Sequence, residues 1–106
     1  MRKKETICQE ADRIVSTDRQ RDYAHPYIDF SRTAILWSGI LGFAIQPEHV
    51  GLCMIALKIS RECNKHKRDN LVDIAGYAKT IDMVMEKKKR RKKHRKVRTK
   101  IQFQGF

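Results

Sequence analysis

Positive charge is concentrated at one end of this 106-residue chain, and that concentration limits where a folded core can form. Residues 87–100 (KKKRRKKHRKVRTK) hold 11 of the 24 Lys and Arg side chains and no acid. Residues 1–86 hold the other 13 basic side chains and all 12 acidic ones, which leaves a net charge of +1. Like charges three and four residues apart oppose a helix. The sequence therefore predicts a helical domain over residues 1–86 and a polybasic C-terminal tail over residues 87–106, which we expect to be solvated and mobile.

Several protein classes are excluded by composition. No apolar run approaches the roughly 18–20 residues of a membrane span, and acidic residues follow the charged N-terminus, which is unlike a signal peptide. The three cysteines (Cys8, Cys53 and Cys63) form no CxxC pair, so reduced thiols in a cytoplasmic protein fit best. We expect Cys53 and Cys63 to be packing residues, and we expect no membrane partner.

Apolar side chains recur at helical spacing in four segments. The segments are Glu5–Ser16, Asp29–Leu41, Pro47–Cys63, and one from Asp69 to about Glu86 or beyond. The third is apolar nearly all round, which is typical of a helix at the centre of a bundle. No segment of residues 1–86 shows the alternation of a half-buried strand. The sequence predicts an all-α fold, a small antiparallel four-helix bundle with a basic C-terminal extension.

The connection between the first two segments, TDRQRDYAHP, is dense in side chains that carry chemistry. Loops of this kind often hold functional residues. Arg19, Asp22 and Tyr23 are candidate ligand contacts, and His25 is a candidate general base near neutral pH. The structural alternative is that Asp22 and His25 cap the second helix while Tyr23 fills a gap in the core.

A second constellation spans the end of the third helix and the start of the fourth. Lys58 and Arg61 share a helical face, as do Asp69 and Asp73. Two carboxylates beside two cations can hold Mg²⁺ and a polyphosphate together. The structural alternative is that Asp69 caps the fourth helix and that Asp73 pairs with Arg61 or interacts favourably with the helix dipole. In that case Lys58 extends its ammonium to solvent.

The tail carries more charge than solubility requires, which favours contact with nucleic acid or another polyanion. No aromatic side chain interrupts the run, so base readout is not expected. The candidate nucleic-acid contacts are Lys87, Lys88, Lys89, Arg90, Arg91, Lys92, Lys93, Arg95, Lys96, Arg98 and Lys100.

Three motifs, which lie within two strings of the sequence, resemble the pattern of a known family and occur in the same order. The strings DRQRDYAHPYIDFSRTAILW and KISRECNKHKRDNLVDIAGYA are similar to a pattern found in small phage and prophage proteins of unassigned function. The similarity covers about residues 10–80 and does not include the tail. Ala24 stands where the family usually has Gly, which would allow a positive φ, and Asp29 stands where it often has Asn.

More distantly, the motifs resemble nucleotide-modification-associated phage domains and the MazG-type all-α nucleoside triphosphate pyrophosphatases, which bind Mg²⁺. The resemblance implies a location in the bacterial host cytoplasm and a shared pocket. The matching positions are Asp22, Tyr23, His25, Lys58, Arg61, Asp69, Asn70, Asp73 and Tyr77.

Two functional hypotheses follow. In the first, a phage accessory protein binds or processes a nucleotide: Lys58 and Arg61 neutralise phosphate, Asp69 and Asp73 hold Mg²⁺, and Tyr23 or Tyr77 stacks on the base. If the protein is an enzyme, His25 and Asp73 are the candidate catalytic residues. In the second, a non-enzymatic binder contacts nucleic acid through its tail and docks on a host or phage protein. Self-association fits either hypothesis, because a core of this size is marginal alone.

Overall fold

The computed structural model describes the backbone of residues 4–19 and 24–104, and the side chains of residues 4–17 and 24–97. Four helices make up this part of the chain. They are α1 (Ile7–Arg13, continued by a π-helical segment, Ile14–Arg19), α2 (Pro26–Leu41), α3 (Pro47–Asn64) and α4 (Arg68–Gln104). The described residues contain no strand. The predicted all-α bundle is confirmed.

Local sequence chemistry explains where these helices begin and end. Thr6 and Gln9 form a reciprocal capping box at the start of α1. Helix α2 begins at Pro26, three residues before the predicted start, because His25 supplies the cap and Pro26 occupies the first helical position. It ends at Gly42, whose φ of 80° places it in the left-handed region that glycine adopts readily.

The helix at the centre of the bundle is α4, and the other three helices all contact it. Helix α3 runs antiparallel to α4. Glu48, near the start of α3, pairs with Lys88, and Lys58, further along α3, pairs with the earlier residue Asp73. Helix α1 runs parallel to α4, with Glu10 at Arg68 and an ion pair from Asp12 to Lys79. Within the described residues α1 packs on α4 alone, so α1 and the α2–α3 pair lie on different sides of the central helix.

The prediction that α3 occupies the centre is wrong. The buried core joins α2, α3 and α4 through Phe30, Ala34, Val50 and Val84. Helix α3 contributes one face to that core, and Leu52, Leu57 and Ile59 are 54%, 40% and 50% exposed. Cys53 and Cys63 are also exposed, so the expectation that they are packing residues is wrong as well. An apolar helix surface does not by itself determine which side faces the core.

Helix α4 extends past Glu86 and carries the basic run to Gln104. Two bundle contacts support its first basic turns. The Lys88 ammonium lies 3.0 Å from Glu48, and the Arg91 guanidinium lies 5.2 Å from the centre of the Tyr27 ring. These contacts offset part of the repulsion between neighbouring cations. The projecting helix makes the molecule elongated, with extents of 64 × 40 × 19 Å.

Among the helices that the structure describes, none combines the length and the apolar composition needed to cross a bilayer.

Candidate functional site

The junction of α3 and α4 forms an open groove that gathers many of the residues predicted to bind ligand. The groove has a volume of about 610 Å³. We call it the α3–α4 groove, and it is lined by Lys58, Ser60, Arg61, Asn64, Lys65, Lys67, Asp69, Asn70 and Asp73. Four of these side chains are Lys or Arg and two are Asp, so the lining carries net positive charge and favours an anionic ligand.

Glu62 fixes the turn between α3 and α4 and thereby shapes the groove. Its carboxylate contacts the His66 ring, accepts the Lys67 N–H at 2.9 Å and accepts the Asn70 amide at 3.1 Å. These interactions, with the His66 hydrogen bond the largest, lower the pKa of Glu62 to about 2. Asn70 is buried and holds this turn together, so its predicted contact with a nucleotide stays untested.

An ion pair between Lys58 and Asp73 closes one side of the groove. Their charged atoms lie 2.8 Å apart, and the side chains are 15% and 40% exposed. The pair explains why a lysine sits in the apolar run MIALKIS. The structural alternative that paired Asp73 with Arg61 is therefore corrected, because the packing of α3 on α4 brings Lys58 to this carboxylate instead.

The same ion pair bears on the predicted Mg²⁺ site. Lys58 already engages the Asp73 carboxylate, which leaves Asp69 as the carboxylate with room for a cation. The described side chains contain no cluster of three or more His, Cys, Asp or Glu able to hold a metal. Mg²⁺ typically takes one or two carboxylates together with substrate phosphates. The metal role of Asp69 and Asp73 stays a prediction, and it requires phosphate oxygens to complete the ligand set.

Tyr77 lies one helical turn beyond Asp73 and faces the core. Its ring centre is 6.4 Å from that of Phe30. Together with Asp73 it lines a separate cavity of about 70 Å³ between α1 and α4. Tyr77 is therefore not part of the α3–α4 groove, and stacking of a base on it there is not supported by its position.

His25 does not join the groove either. Its Nδ1 accepts the Tyr27 N–H at 3.0 Å, so the side chain caps α2 and the structural alternative is confirmed for this residue. Burial, followed by the charges of Lys87 and Arg90, lowers the pKa of His25. Lys87 follows Asp73 by 14 residues, or about 21 Å along the helix axis. The common cleft expected for His25 and Asp73 is corrected: His25 lies beside the middle of α4, well separated from Asp73.

Other predicted loop contacts fall outside the described side chains: Arg19, Asp22 and Tyr23. Ala24 is described, and its φ of 66° places it in the left-handed region. This is the position where the family pattern has Gly, and the structure shows the backbone geometry that favours Gly there.

The second candidate surface is the basic helix, which we define as the part of α4 from Lys87 to Lys96. Nine of its ten residues are Lys or Arg. Only Lys88 is partly buried; the others are exposed. Lys88 also donates to the Gln46 side chain at 3.1 Å. The predicted contacts in this helix are Lys87, Lys88, Lys89, Arg90, Arg91, Lys92, Lys93, Arg95 and Lys96, while Arg98 and Lys100 lie beyond the described side chains.

Sequence reasoning missed some members of both surfaces. Asn64 and Lys65 follow Arg61 at helical spacing, and that spacing could have indicated that they share its face. Tyr27 and Glu48, the bundle partners of the basic helix, carry no such signal, because they come from distant parts of the chain.

The fold and these two surfaces define a small all-α protein with a cationic groove and an exposed basic helix. A family model described as Domain of unknown function (DUF6378) matches residues 6–85, and the chain belongs to this family. It is similar to the Gene 55 protein of Mycobacterium phage D29, with 36% identity over 83 residues, which are 77% of this chain and 55% of that protein. The Gene 55 protein of Mycobacterium phage L5 is 37% identical over 79 residues, 73% of this chain and 51% of that protein. The chain thus spans about half the length of the curated relatives it matches. No solved structure matches it.

These similarities confirm the resemblance to a phage protein family of unknown function. The more distant likeness to nucleotide-modification domains and MazG-type enzymes stays a prediction. The α3–α4 groove lies within the matched residues, and the basic helix follows them.

Proposed function

We propose that the protein binds nucleic acid through the basic helix. The observation that carries this proposal is the density of charge: nine cations in ten residues, eight of them exposed and none accompanied by an acid, on one continuous helix. Such a surface binds phosphate backbones largely by releasing condensed counterions. The bundle contacts Lys88 and Arg91, and Lys89, Lys92, Lys93 and Lys96 are exposed beside them.

The charge count predicts how binding depends on salt. If five to seven of these cations meet phosphates, the slope of log K against log salt concentration is about −4.5 to −6.3 for duplex DNA. Affinity should therefore fall steeply between low and physiological salt, with little dependence on base sequence.

A neutralised full-length variant tests this proposal. Five exposed cations of the basic helix are replaced by Gln, which keeps helix propensity: Lys89, Arg90, Lys92, Lys93 and Lys96. The matched control neutralises Arg61, Lys65 and Lys67 in the groove. Fluorescence anisotropy with labelled nucleic acid should show at least a hundredfold loss for the helix variant at about 0.1 M salt, and a small loss for the groove variant. Unchanged affinity of the helix variant contradicts the proposal.

The α3–α4 groove supports a second function, binding of a nucleotide through its phosphates. The specific observation is that no carboxylate among the described side chains pairs with Arg61, Lys65 or Lys67, although all three line the groove. Arg and Lys of this kind bind phosphate oxygens. Asp69 lies beside them and would supply a carboxylate to Mg²⁺ once phosphate is in place. His25 lies beside Lys87, about 20 Å along α4 from Asp73, so we assign it no part in this binding.

Calorimetry with a panel of deoxynucleoside triphosphates, with and without Mg²⁺, tests the second function. Arg61→Gln should weaken binding under both conditions, whereas Asp69→Asn should remove only the contribution of Mg²⁺. Asp73→Ala releases Lys58 into the groove and should also abolish any Mg²⁺-dependent part. The helix variant described above serves as the matched control and should bind nucleotide normally. No heat with any nucleotide would eliminate the groove function.

A further inference from the structure

We propose that the basic helix binds B-form duplex DNA by lying in its major groove. This inference rests on the proposed function, nucleic-acid binding by the same helix, and adds the class of nucleic acid. It is carried by the distribution of cations around the helix axis, by the dimensions of the helix and by the side on which the bundle is attached.

The cations occupy both flanks of the helix as well as its outer face. Each residue advances about 100° around an α-helix. Lys88 faces Glu48 and Arg91 faces Tyr27, so the bundle side lies midway between these two positions. Lys92 and Lys96 lie about 70–110° from it on one flank. Lys87 lies about 70° away on the other flank, beside His25 of the bundle.

The outer face, opposite the bundle, is also basic. Lys89, Arg90 and Lys93 are exposed and lie about 130–170° from the bundle side. Arg90 also lies near enough to His25 to act on its charge. The bundle therefore lies against the side of the helix that carries Lys87, Lys88 and Arg91, and it leaves the outer face and the opposite flank accessible. A helix that met a single strand or one phosphate row would need charge on only one of these sides.

A major groove has the complementary arrangement. An α-helix with its side chains is about 10–12 Å across, and the major groove of B-DNA is about 12 Å wide and 8.5 Å deep. A helix lying in it has one phosphate backbone along each flank. Lys92 and Lys96 on one side and Arg90 on the other then meet the two backbones, while Lys89 and Lys93 point to the groove floor.

Other nucleic acids fit less well. The major groove of A-form RNA is deep and too narrow for side chains to read, so it does not admit this helix. Proteins that bind single strands add aromatic side chains on which bases stack, and residues 87–100 contain none. The geometry thus favours duplex DNA over duplex RNA and over a single strand.

The basic helix also has a fixed direction relative to the bundle. It continues a helix whose earlier residues Thr80 and Val84 are fully buried, and Glu48 holds Lys88 just beyond them. From Arg91 to Gln104 the helix extends for about 20 Å. Binding in the major groove therefore requires an unbroken helix at Lys92, whereas binding by a flexible run of cations would not.

Anisotropy titrations of the full chain compare three probes at matched salt: a duplex DNA of roughly 20 base pairs, about two turns, a duplex RNA of the same sequence, and the single DNA strand. We expect duplex DNA to bind at least tenfold more tightly than either alternative. Equal or tighter binding of the RNA duplex or the single strand overturns this inference but leaves nucleic-acid binding intact. If none of the probes binds, the proposed function itself fails.

A matched pair of substitutions tests the need for a continuous helix. Lys92→Ala and Lys92→Pro remove the same charge, but only the proline removes a backbone N–H and breaks the helix. Lys92→Ala should bind duplex DNA within about threefold of the wild type. Lys92→Pro should bind at least tenfold more weakly than Lys92→Ala and lose the preference for DNA over RNA. Equal affinity of the two variants for duplex DNA refutes the groove-bound helix. Lys92→Ala should unfold like the wild type, since Lys92 is exposed. Lys92→Pro breaks the helix beyond the buried Val84, so the bundle core should still unfold cooperatively.

Discussion

The close approach of α3 to α4 depends on the missing side chain of Gly51, and Gly51→Ala tests this directly. A Cβ placed on Gly51 would overlap Ile81 Cγ1, and it would lie 2.9 Å from Ile81 Cδ1 and 3.1 Å from Phe30 Cε2. Ile81 cannot easily move aside, because Cγ1 is the first atom of a β-branched side chain with a stiff χ1. Phe30 is buried in the core and has little room to shift. We therefore expect the helices to move apart locally.

The expected loss of stability follows from two opposing terms. Replacing Gly by Ala within a helix stabilises it by about 1 kcal/mol, whereas overpacking a core typically costs about 1–3 kcal/mol. Because one contact is a severe overlap and two more are tight, we take the upper half of that range. The net effect is a loss of about 1–2 kcal/mol, and each kcal/mol lowers the melting temperature of a domain this size by roughly 4–8 °C.

Gly39→Ala is the matched control. Gly39 also lies within a helix, α2, but a Cβ there would meet nothing within 4 Å. This variant should gain about 0.5–1 kcal/mol from helix propensity alone. Urea unfolding followed by circular dichroism gives both values. A Gly51→Ala protein that is as stable as the wild type, or that shifts in the same direction as Gly39→Ala, would refute the close packing described here.

Three further predictions concern the turns and the titrating groups. Ala24→Gly should raise the free energy of unfolding by about 1 kcal/mol, because Ala24 has a φ of 66°; a loss of stability in urea unfolding would count against that conformation. Burial, with Lys87 and Arg90, lowers the pKa of His25, so the unfolded chain binds more protons and stability falls as the pH drops below about 6.5. His25→Asn keeps a capping side chain and should narrow the difference in melting temperature between about pH 7.5 and 5.5; an unchanged difference would show that His25 does not cause it. The pKa of Glu62 is lowered to about 2, so its stabilising contribution is complete above its usual pKa near 4.5 and is lost as the pH falls towards 2. Glu62→Gln should therefore be less stable at neutral pH and lose less on acidification, and thermal melts that stay parallel to the wild type down to acid pH would rule this out.

The sequence predicted much of the groove because its members share helical faces. Lys58 and Arg61 are three residues apart and Asp69 and Asp73 four apart, and helical periodicity alone places each pair on one side. Which cation meets which carboxylate is a different question. It depends on the axial register of α3 against α4, which Gly51 and Ile81 set through their contact, and that register selects Lys58 as the partner of Asp73.

The loop before α2 and the basic run likewise show which features are local and which depend on tertiary contacts. The motif around His25 indicated a capping turn as one alternative, because the chemistry of a cap is local. The distance between His25 and Asp73 could not be predicted, since it depends on which part of α4 His25 lies against. Repulsion among the cations of the tail likewise predicted a mobile segment, whereas the partners that support its first turns, Glu48 and Tyr27, lie 40 or more residues away.

Helix content, most helix ends and the segregation of charge were thus determined by the sequence itself, because spacing, capping and composition act between neighbouring residues. Tertiary structure alone decided that α4 rather than α3 is central, that His25 lies beside Lys87 rather than Asp73, and that the basic run continues a buried helix. Those outcomes depend on contacts between residues far apart in the chain, and no local pattern specifies which of several apolar faces finds which partner.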